Sequence, residues 1–187
     1  MDELRKMKLG DIGPVKYCKE IKIDKTLTEG IPFYKIGTMG GVADSFITQE
    51  QYNELPNKPT TGSVLVSAMG TIGKLYIYDG ELAYFCENIF WIENDESIVL
   101  NKYLYYFYEK FPWKINWEMP IPGLQKSNIE RTEIIVPPIE YQLFAIEMLD
   151  RMKQEIKDLE YELEEVRRVR DFNRNELFEM LKPIQEI

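Results

Sequence analysis

Apolar residues recur at alternating steps of four and three along the last third of the chain. The positions are Ala145, Leu149, Met152, Ile156, Leu159, Leu163 and Val166. This spacing is the a/d seam of a coiled coil, which is narrower than the apolar stripe of an ordinary core helix. It predicts one long helix over residues 137–182 with a partner helix along its length, and packing on its own domain is the alternative.

The ends of this predicted helix carry recognisable signals. Pro138 fits a first helical position, Glu140 favours the positive end of the helix dipole, and Pro183 marks the end. Beyond Val166 the apolar spacing changes, which predicts a looser supercoil; the residues concerned are Val169, Phe172, Leu177, Met180 and Leu181. At about 1.5 Å per residue the helix extends roughly 60 Å, the length of a spacer.

The first 136 residues alternate short β-rich runs with turns, which predicts an α+β domain of mixed α/β build. Strands are predicted within residues 29–37, 62–67, 74–78, 82–92 and 129–136. Pro32 places the first at a sheet edge or at a strand start, and the last contains Arg131. The second and third form a hairpin, and residues 82–92 are long enough for one buried strand.

Two short helices and a polar loop complete this domain. Thr48 is the predicted N-cap of one helix, with Gln51 as the other half of a capping box. Asn101 is the predicted N-cap of an aromatic helix that reaches residue 110. Residues 119–128 form a loop that ends in amide, ammonium and hydroxyl groups, which hydrogen-bond base edges and phosphates.

Composition narrows the class of protein. A chain of 187 residues with 44% hydrophobic residues suits one globular domain plus an appended helix. Cys18 and Cys86 are too few for a disulfide scaffold, and no apolar run approaches the roughly 20 residues of a membrane span. We therefore expect a cytoplasmic protein with free thiols and no membrane contact.

The net charge of −9 argues against a strong nucleic-acid binder, because such proteins usually carry a basic face. The charge is −5 from Ile139 onward and −4 before it. The most basic stretch lies in residues 1–25, and a solvated surface is the more common use of such a run. A DNA-binding role therefore needs a local patch, or a partner that supplies most phosphate contacts.

The chain shows few residues suited to catalysis. It has no histidine, which removes the commonest general base and metal ligand. Two cysteines without histidine make neither a zinc site nor a thiol protease, and no pair of the many carboxylates is singled out. We expect a protein that is not an enzyme and that binds no metal or cofactor of its own.

The hairpin loop over residues 68–73 contains two glycines and is the clearest local signal of the first domain. Such a loop could bring backbone N–H groups close to a phosphate, with Ser67, Thr71 and Lys74 beside it. It is not a nucleotide-binding P-loop, because Ala68 and Leu75 stand where that pattern needs other residues. A plain hairpin connection explains these residues equally well.

The order of the motifs along the chain closely resembles the specificity (S) subunits of type I restriction-modification systems. The motifs are Leu9-Gly10-Asp11-Ile12, Gly30-Ile31-Pro32-Phe33, Gly62-Ser63-Val64-Leu65-Val66-Ser67, Gly70-Thr71-Ile72-Gly73, Tyr103-Leu104-Tyr105-Tyr106, Ile121-Pro122-Gly123-Leu124 and Ile134-Ile135-Val136-Pro137-Pro138-Ile139-Glu140-Tyr141-Gln142. Each is weak alone, but their order before a long helix is specific and covers nearly the whole chain.

The resemblance implies a target recognition domain in residues 1–136 and a helical spacer in residues 137–187. It implies a non-catalytic subunit that binds a specific site on double-stranded DNA. The subunit would hold adenine methyltransferase (M) subunits, which use S-adenosylmethionine, and an ATP-dependent restriction (R) subunit. Relatives usually carry two domains and two helices, whereas this sequence has one of each; Met1 and Pro183 favour a complete half-size chain.

A second copy lying antiparallel would restore the two-domain arrangement, and the resulting homodimer would read a symmetric, bipartite site. The predicted dimerisation residues are Leu149, Met152, Ile156, Leu159, Leu163 and Val166. The predicted DNA-binding residues are Lys35, Ser67, Thr71, Lys74, Gln125, Lys126 and Asn128. Two other interpretations are a coiled-coil adaptor that binds only protein and a fragment of a fused restriction-methylation enzyme.

Overall fold

The protein is described here by a computed structural model that covers residues 4–115, 117 and 122–181. The predicted helix end at Pro183 and the loop residues 119–121 lie outside these described ranges. The chain divides into two compact units, Met1–Phe144 and Ala145–Ile187. No helix in the described ranges is both long enough and apolar enough to cross a lipid bilayer.

The first unit contains nine strands among its described residues and the start of the long helix. The strands are β1 Arg5–Lys8, β2 Val15–Tyr17, β3 Ile31–Tyr34, β4 Ser45–Ile47, β5 Val64–Ser67, β6 Leu75–Ile77, β7 Tyr84–Phe85, β8 Ile89–Ile92 and β9 Glu133–Val136. The helices are α1 Leu9–Ile12, α2 Gln49–Asn53, α3 Asn101–Glu109, α4 Lys126–Glu130 and α5 Ile139–Leu181. The predicted α+β fold followed by a long helix is confirmed.

The described strands form three sheets. The largest has the order β2-β8-β5-β6, the second has the order β4-β3-β7, and β1 pairs with β9 in a two-stranded ribbon. Both central strands of the largest sheet are buried on two faces, because alternate side chains enter different cores. In β5, Val64 and Val66 join the core that contains Phe90, whereas Leu65 joins the core that contains Phe85.

The predicted single strand over residues 82–92 is wrong, because the chain changes sheets within it. β7 pairs in parallel with β3, and β8 pairs antiparallel with β2 and β5. Between β7 and β8 the N–H of Cys86 donates to the C=O of Tyr34 at 3.0 Å. The N–H of Ile89 then donates back to the C=O of Cys86 at 3.1 Å, which turns the chain toward the other sheet.

The predicted position of Pro32, at a sheet edge or at a strand start, is also partly wrong. β3 is the middle strand of its sheet, so the sheet-edge alternative is wrong. β7 lies opposite only Phe33 and Tyr34, and Pro32 follows the first residue of β3. The missing N–H of this proline therefore falls near the strand start, where a ladder hydrogen bond to β7 is not needed.

The two predicted helix caps have different outcomes. The capping box of α2 is confirmed: the N–H of Gln51 donates to Thr48 Oγ1 at 3.2 Å, and the N–H of Thr48 donates to Gln51 Oε1 at 3.0 Å. The Asn101 cap is wrong, because Leu100 occupies the cap position of α3. The N–H of Asn101 instead donates to Glu96 Oε1 at 3.0 Å, so the carboxylate of an upstream residue accepts a hydrogen bond from the start of this helix.

The strand predicted over residues 129–136 begins later than expected. Residues 126–130, expected to be loop and strand, form the short helix α4, and β9 starts at Glu133. Ile129 is fully buried in the core that contains Phe90, and Arg131 lies just after the helix rather than in a strand. Thr132 ends the turn by donating its hydroxyl to the C=O of Asn128 at 2.8 Å.

Candidate nucleic-acid interface

The hairpin loop between β5 and β6 is closed by the side chain of Ser67. This fully buried hydroxyl donates to the C=O of Thr71 and accepts the N–H of Lys74 at 2.8 Å. Gly70 and Gly73 have φ values of +66° and +81°, a region that favours glycine. The loop is therefore held internally by Ser67, and Thr71 lies exposed at its tip.

Lys74 joins this loop to the chain segment that follows β3. Its ammonium donates to the C=O of Ile36 at 2.9 Å and to the C=O of Gly37 at 3.1 Å. The neighbouring Lys35 is exposed, and its Nζ lies 3.0 Å from a carboxylate oxygen of Asp44. The hydrogen bond from Lys35 is the main reason why the pKa of Asp44 lies below its usual value.

The backbone that leads into the later polar segment also contacts this hairpin loop. The N–H of Leu124 donates to the C=O of Ala68 at 2.8 Å, and Met69 and Gly123 form an antiparallel bridge. A side chain on Gly123 would lie 3.2 Å from the Ala68 carbonyl oxygen, so this close approach favours glycine. The backbone next to Gln125 therefore contacts the hairpin loop of residues 68–73, which is called the glycine loop below.

Three of the residues predicted to bind DNA lie on or beside α4. Gln125 is exposed at its N-cap position, without a hydrogen bond from its side chain to the helix end. Lys126 lies 3.8 Å from Glu130 in an ion pair one turn along the helix. Asn128 donates its side-chain amide to the C=O of Lys114 at 3.4 Å, which ties α4 to the segment after α3.

An exposed aromatic groove lies beside the glycine loop and was missed by sequence reasoning. Its volume is about 320 Å³, and the described residues that line it are Gly70, Ile72, Phe111, Ile115, Trp117 and Pro122. Phe111 is 46% exposed and Trp117 is 70% exposed. The sequence signal was available: aromatic residues continue after α3, in a segment interrupted by Pro112.

The backbone of Phe111 is held in an unusual conformation. Its φ of +51° is the only positive value among the described non-glycine residues. Its ring packs over Gly73, where a side chain would lie 2.7 Å from a ring carbon. A non-glycine residue in this region costs of order 1 kcal/mol and often marks a functional site.

The basic residues near the N-terminus are partly neutralised within the domain. Lys6 lies 2.8 Å from Glu133, and Lys16 lies 3.3 Å from Glu93. The hydrogen bond and charge of Lys6 lower the pKa of Glu133. These ion pairs favour the interpretation of this stretch as a solvated surface over that of a continuous phosphate track.

Helix α5 begins at Ile139, two residues after the start of the predicted range 137–182 and one residue after Pro138, the predicted first helical residue. The C=O of Pro138 accepts the N–H of Gln142 at 3.1 Å, so this proline precedes the helix. The side chains that carry the seam are solvent-exposed: Leu149, Met152, Ile156, Leu159, Leu163 and Val166 range from 38% to 65%. An exposed apolar seam of this length favours a partner helix.

Solved structures with the same fold place this chain in a class. The HsdS subunit from Thermoanaerobacter tengcongensis matches with a TM-score of 0.62 and 16% identity, over 84% of this chain and 39% of its own. A chain solved in work on complex assembly and conformational transition of a type I R-M system matches with a TM-score of 0.66 and 16% identity, over 85% and 40%. The fold is therefore that of specificity subunits of such systems.

The sequence comparisons identify the family. Residues 1–167 match the type I restriction modification DNA specificity domain, and the chain belongs to this family. A protein of Haemophilus influenzae described as a type I restriction enzyme specificity subunit is 44% identical over 159 residues. The match covers 82% of this chain and 41% of that protein, so the chain spans about two fifths of the relatives' length. The resemblance identified in the sequence is confirmed.

Proposed function

We propose that the chain is a DNA sequence-specificity subunit that reads one half of a bipartite site and holds modification subunits on it. The observation that carries the proposal is the meeting of three segments at the glycine loop. Lys74 links the loop to residues 36–37, and Ala68 and Met69 link it to residues 123–124. Exposed polar and aromatic side chains surround this junction.

The residues at this junction divide by the contacts that their chemistry allows. Gln125 and Asn128 can each hydrogen-bond an adenine edge in the major groove. Lys35, Lys74 and Lys126 suit phosphates, which fix position rather than sequence. Ser67 is buried, so we assign it to bracing the loop that presents Thr71.

The aromatic groove adds a contact of another kind. Phe111 and Trp117 offer apolar faces beside the glycine loop. Such faces can pack against thymine methyl groups in the major groove. We include both residues in the reading surface, where the strained backbone of Phe111 holds its ring in place over Gly73.

The acidic net charge of the chain favours a complex in which other subunits make most of the contacts to DNA phosphates. With a net charge of −9, the isolated chain should bind DNA weakly. Adenine methyltransferase subunits would close around the duplex, bind S-adenosylmethionine and supply most cationic surface. The specificity subunit itself would perform no chemistry, and an R subunit would join the same assembly.

The second copy of the reading domain would come from a second chain. The exposed seam of α5 can be buried by an antiparallel twin, which places one recognition domain at each end of the paired helices. Two identical readers related by a twofold axis recognise two identical half-sites in opposite orientation. The gap between the half-sites is then fixed by the length of the paired helices.

Methylation mapping tests this function. Genomic DNA from a host that expresses the chain with its methyltransferase should carry methyl-adenine in a symmetric, interrupted motif. A host expressing the methyltransferase alone is the control and should lack that motif. An asymmetric motif with two different half-sites would contradict the homodimer, and an unchanged methylation pattern without the chain would contradict its role in specificity.

A further inference from the structure

The heptad positions of the α5 seam can be counted on beyond Val166. Steps of four and three from Val166 lead to Arg170, Asn173, Leu177 and Met180. α5 is continuous to Leu181, so these residues continue the same face of the helix. Two polar and two apolar residues therefore occupy the seam positions in the part of the helix where a looser supercoil is predicted.

Polar residues in a coiled-coil seam usually specify register at some cost in stability. Arg170 and Asn173 interrupt an otherwise apolar series from Leu149 to Met180. The side chain of Arg170 is 66% exposed, and its guanidinium lies 2.7 Å from Asp171. Its charged group can thus reach solvent at the seam edge, while its apolar stem lies along the seam.

The charges along α5 favour an antiparallel partner of the same sequence. Residues 155–162 contain four acidic residues and one lysine, whereas residues 167–174 contain four arginines and one aspartate. A parallel twin would place the acidic segments side by side. An antiparallel twin can place the acidic segment of each copy opposite the basic segment of the other, which is favourable.

Two antiparallel registers bury the largest number of apolar seam residues. They differ in which charged residues lie beside each other. In one, Ile156 faces Val166 of the second copy, and Glu160 and Glu162 meet their own counterparts across the dimer axis. In the other, Leu163 faces Val166 of the second copy, and Glu160 lies beside Arg167 of that copy. Like charges at the axis disfavour the first register.

We infer that the second copy packs antiparallel with Leu163 opposite Val166 and Met152 opposite Leu177, and that the pairing of Glu160 with Arg167 of the other copy selects this register. The inference rests on the homodimer of the proposed function and adds its geometry. In this register Arg170 lies opposite Leu159, within the acidic segment of the other copy. A shift by one heptad moves Arg170 opposite Met152, past the end of that segment, and brings Glu160 against its counterpart.

Cysteine cross-linking of the full chain tests the register. A Leu177→Cys chain mixed with a Met152→Cys chain should form a disulfide-linked dimer under mild oxidation. The same Leu177→Cys chain mixed with an Ala145→Cys chain reports the other register, because residues 145 and 152 lie about 10 Å apart along the helix. The unsubstituted chain, which keeps Cys18 and Cys86, gives the background.

The outcomes separate the inference from the function on which it rests. A cross-link through residue 152 alone supports the stated register. A cross-link through residue 145 in a dimeric protein overturns the register and leaves the homodimer intact. A monomeric mass by light scattering with neither cross-link overturns the homodimer itself.

Arg167→Glu tests the selecting pair. The variant replaces the attraction between Glu160 and Arg167 of the other copy by repulsion, so the cross-link should shift from residue 152 to residue 145. Arg168→Glu is the matched control, since residue 168 lies off the seam on the outer face, and it should keep the cross-link through residue 152. A cross-link through residue 152 alone in the Arg167→Glu chain would overturn the role of this pair.

Discussion

The N–H of Leu100 donates a 2.9 Å hydrogen bond to Oε1 of Gln142, a residue in the first turn of α5 that is fully buried. The amide nitrogen of the same side chain donates to the C=O of Ile98 at 2.9 Å and to the C=O of Pro137 at 2.8 Å. One side chain therefore joins the start of α5 to the segment that leads into α3.

Gln142→Leu should destabilise the protein by about 2–3 kcal/mol, because it leaves one N–H and two carbonyls, all partly buried, without this partner. Urea unfolding followed by circular dichroism measures the change. Gln154→Leu is the control: this exposed residue donates its side-chain amide to Asp158 one turn along the helix, and its loss should change the stability by a few tenths of a kcal/mol. Equal effects in both variants would contradict the role of Gln142.

Ser67→Ala should lower the free energy of unfolding by about 1–2 kcal/mol, since the N–H of Lys74 loses its acceptor inside the loop. Thr71→Ala should leave stability almost unchanged, because this side chain is exposed. Comparing thermal unfolding with the methylated motif separates bracing from DNA contact. A Ser67→Ala chain of normal stability with an altered motif would show that Ser67 contacts DNA directly.

Gln125→Ala should change or relax the recognised sequence, because an amide that pairs with one base is removed. Lys74→Ala should instead weaken binding to all sequences, both through a lost phosphate contact and through the lost link to residues 36–37. Binding of the methyltransferase complex to cognate and scrambled duplexes measures both. Lys157→Ala on α5 is a charge control; normal binding by both loop variants would exclude these loops as the reading surface.

Trp117→Ala should reduce the DNA affinity of the complex roughly tenfold or more while the fold is retained, since burying a large apolar side chain contributes about 1.5–3 kcal/mol and this side chain is mostly exposed in the free chain. Trp113 provides the contrast, because it is buried against Phe90 at a ring distance of 5.7 Å. Trp113→Ala should cost about 3–5 kcal/mol of stability. Unchanged affinity in the Trp117→Ala complex would remove the groove from the reading surface.

The folded protein should lose stability at alkaline pH because the thiol of Cys18 is buried. Burial raises the pKa of this thiol from 9.0 to about 12. Between these values the unfolded chain releases the proton while the folded chain keeps it, so stability falls as pH rises, by up to about 1.4 kcal/mol per pH unit. Unfolding measured at pH 9 and 10 should show a shallower decline for Cys18→Ala; an identical decline would contradict this assignment.

Sequence periodicity identified the elements whose contacts are local. The seam of α5 and the β5–β6 hairpin follow from repeating patterns and glycine placement, and Thr48 caps α2 through a residue three positions away. The family resemblance depended on the same local motifs. The candidate loops could also be found in this way, because their residue types already indicate polar or phosphate contacts.

Elements that depend on distant contacts could not be predicted from the sequence. The division of residues 82–92 between two sheets depends on Tyr34, about fifty residues earlier. The capping of α3 depends on Glu96 and on Gln142, and the position of Phe111 depends on the space above Gly73. The burial of Ser67 likewise follows from the folded hairpin, so its bracing role was not visible in the residue type.

The β1–β9 ribbon brings Arg5 opposite Val136 and Lys8 opposite Glu133. The first and last strands of the first unit therefore lie side by side, directly before α5 begins. A domain with adjacent entry and exit can be exchanged for another of the same outline without disturbing the helix beyond it. Under the proposed function, recombination at the ribbon would give a subunit with a new target and an old spacer, so that half-site preference and half-site separation could evolve independently.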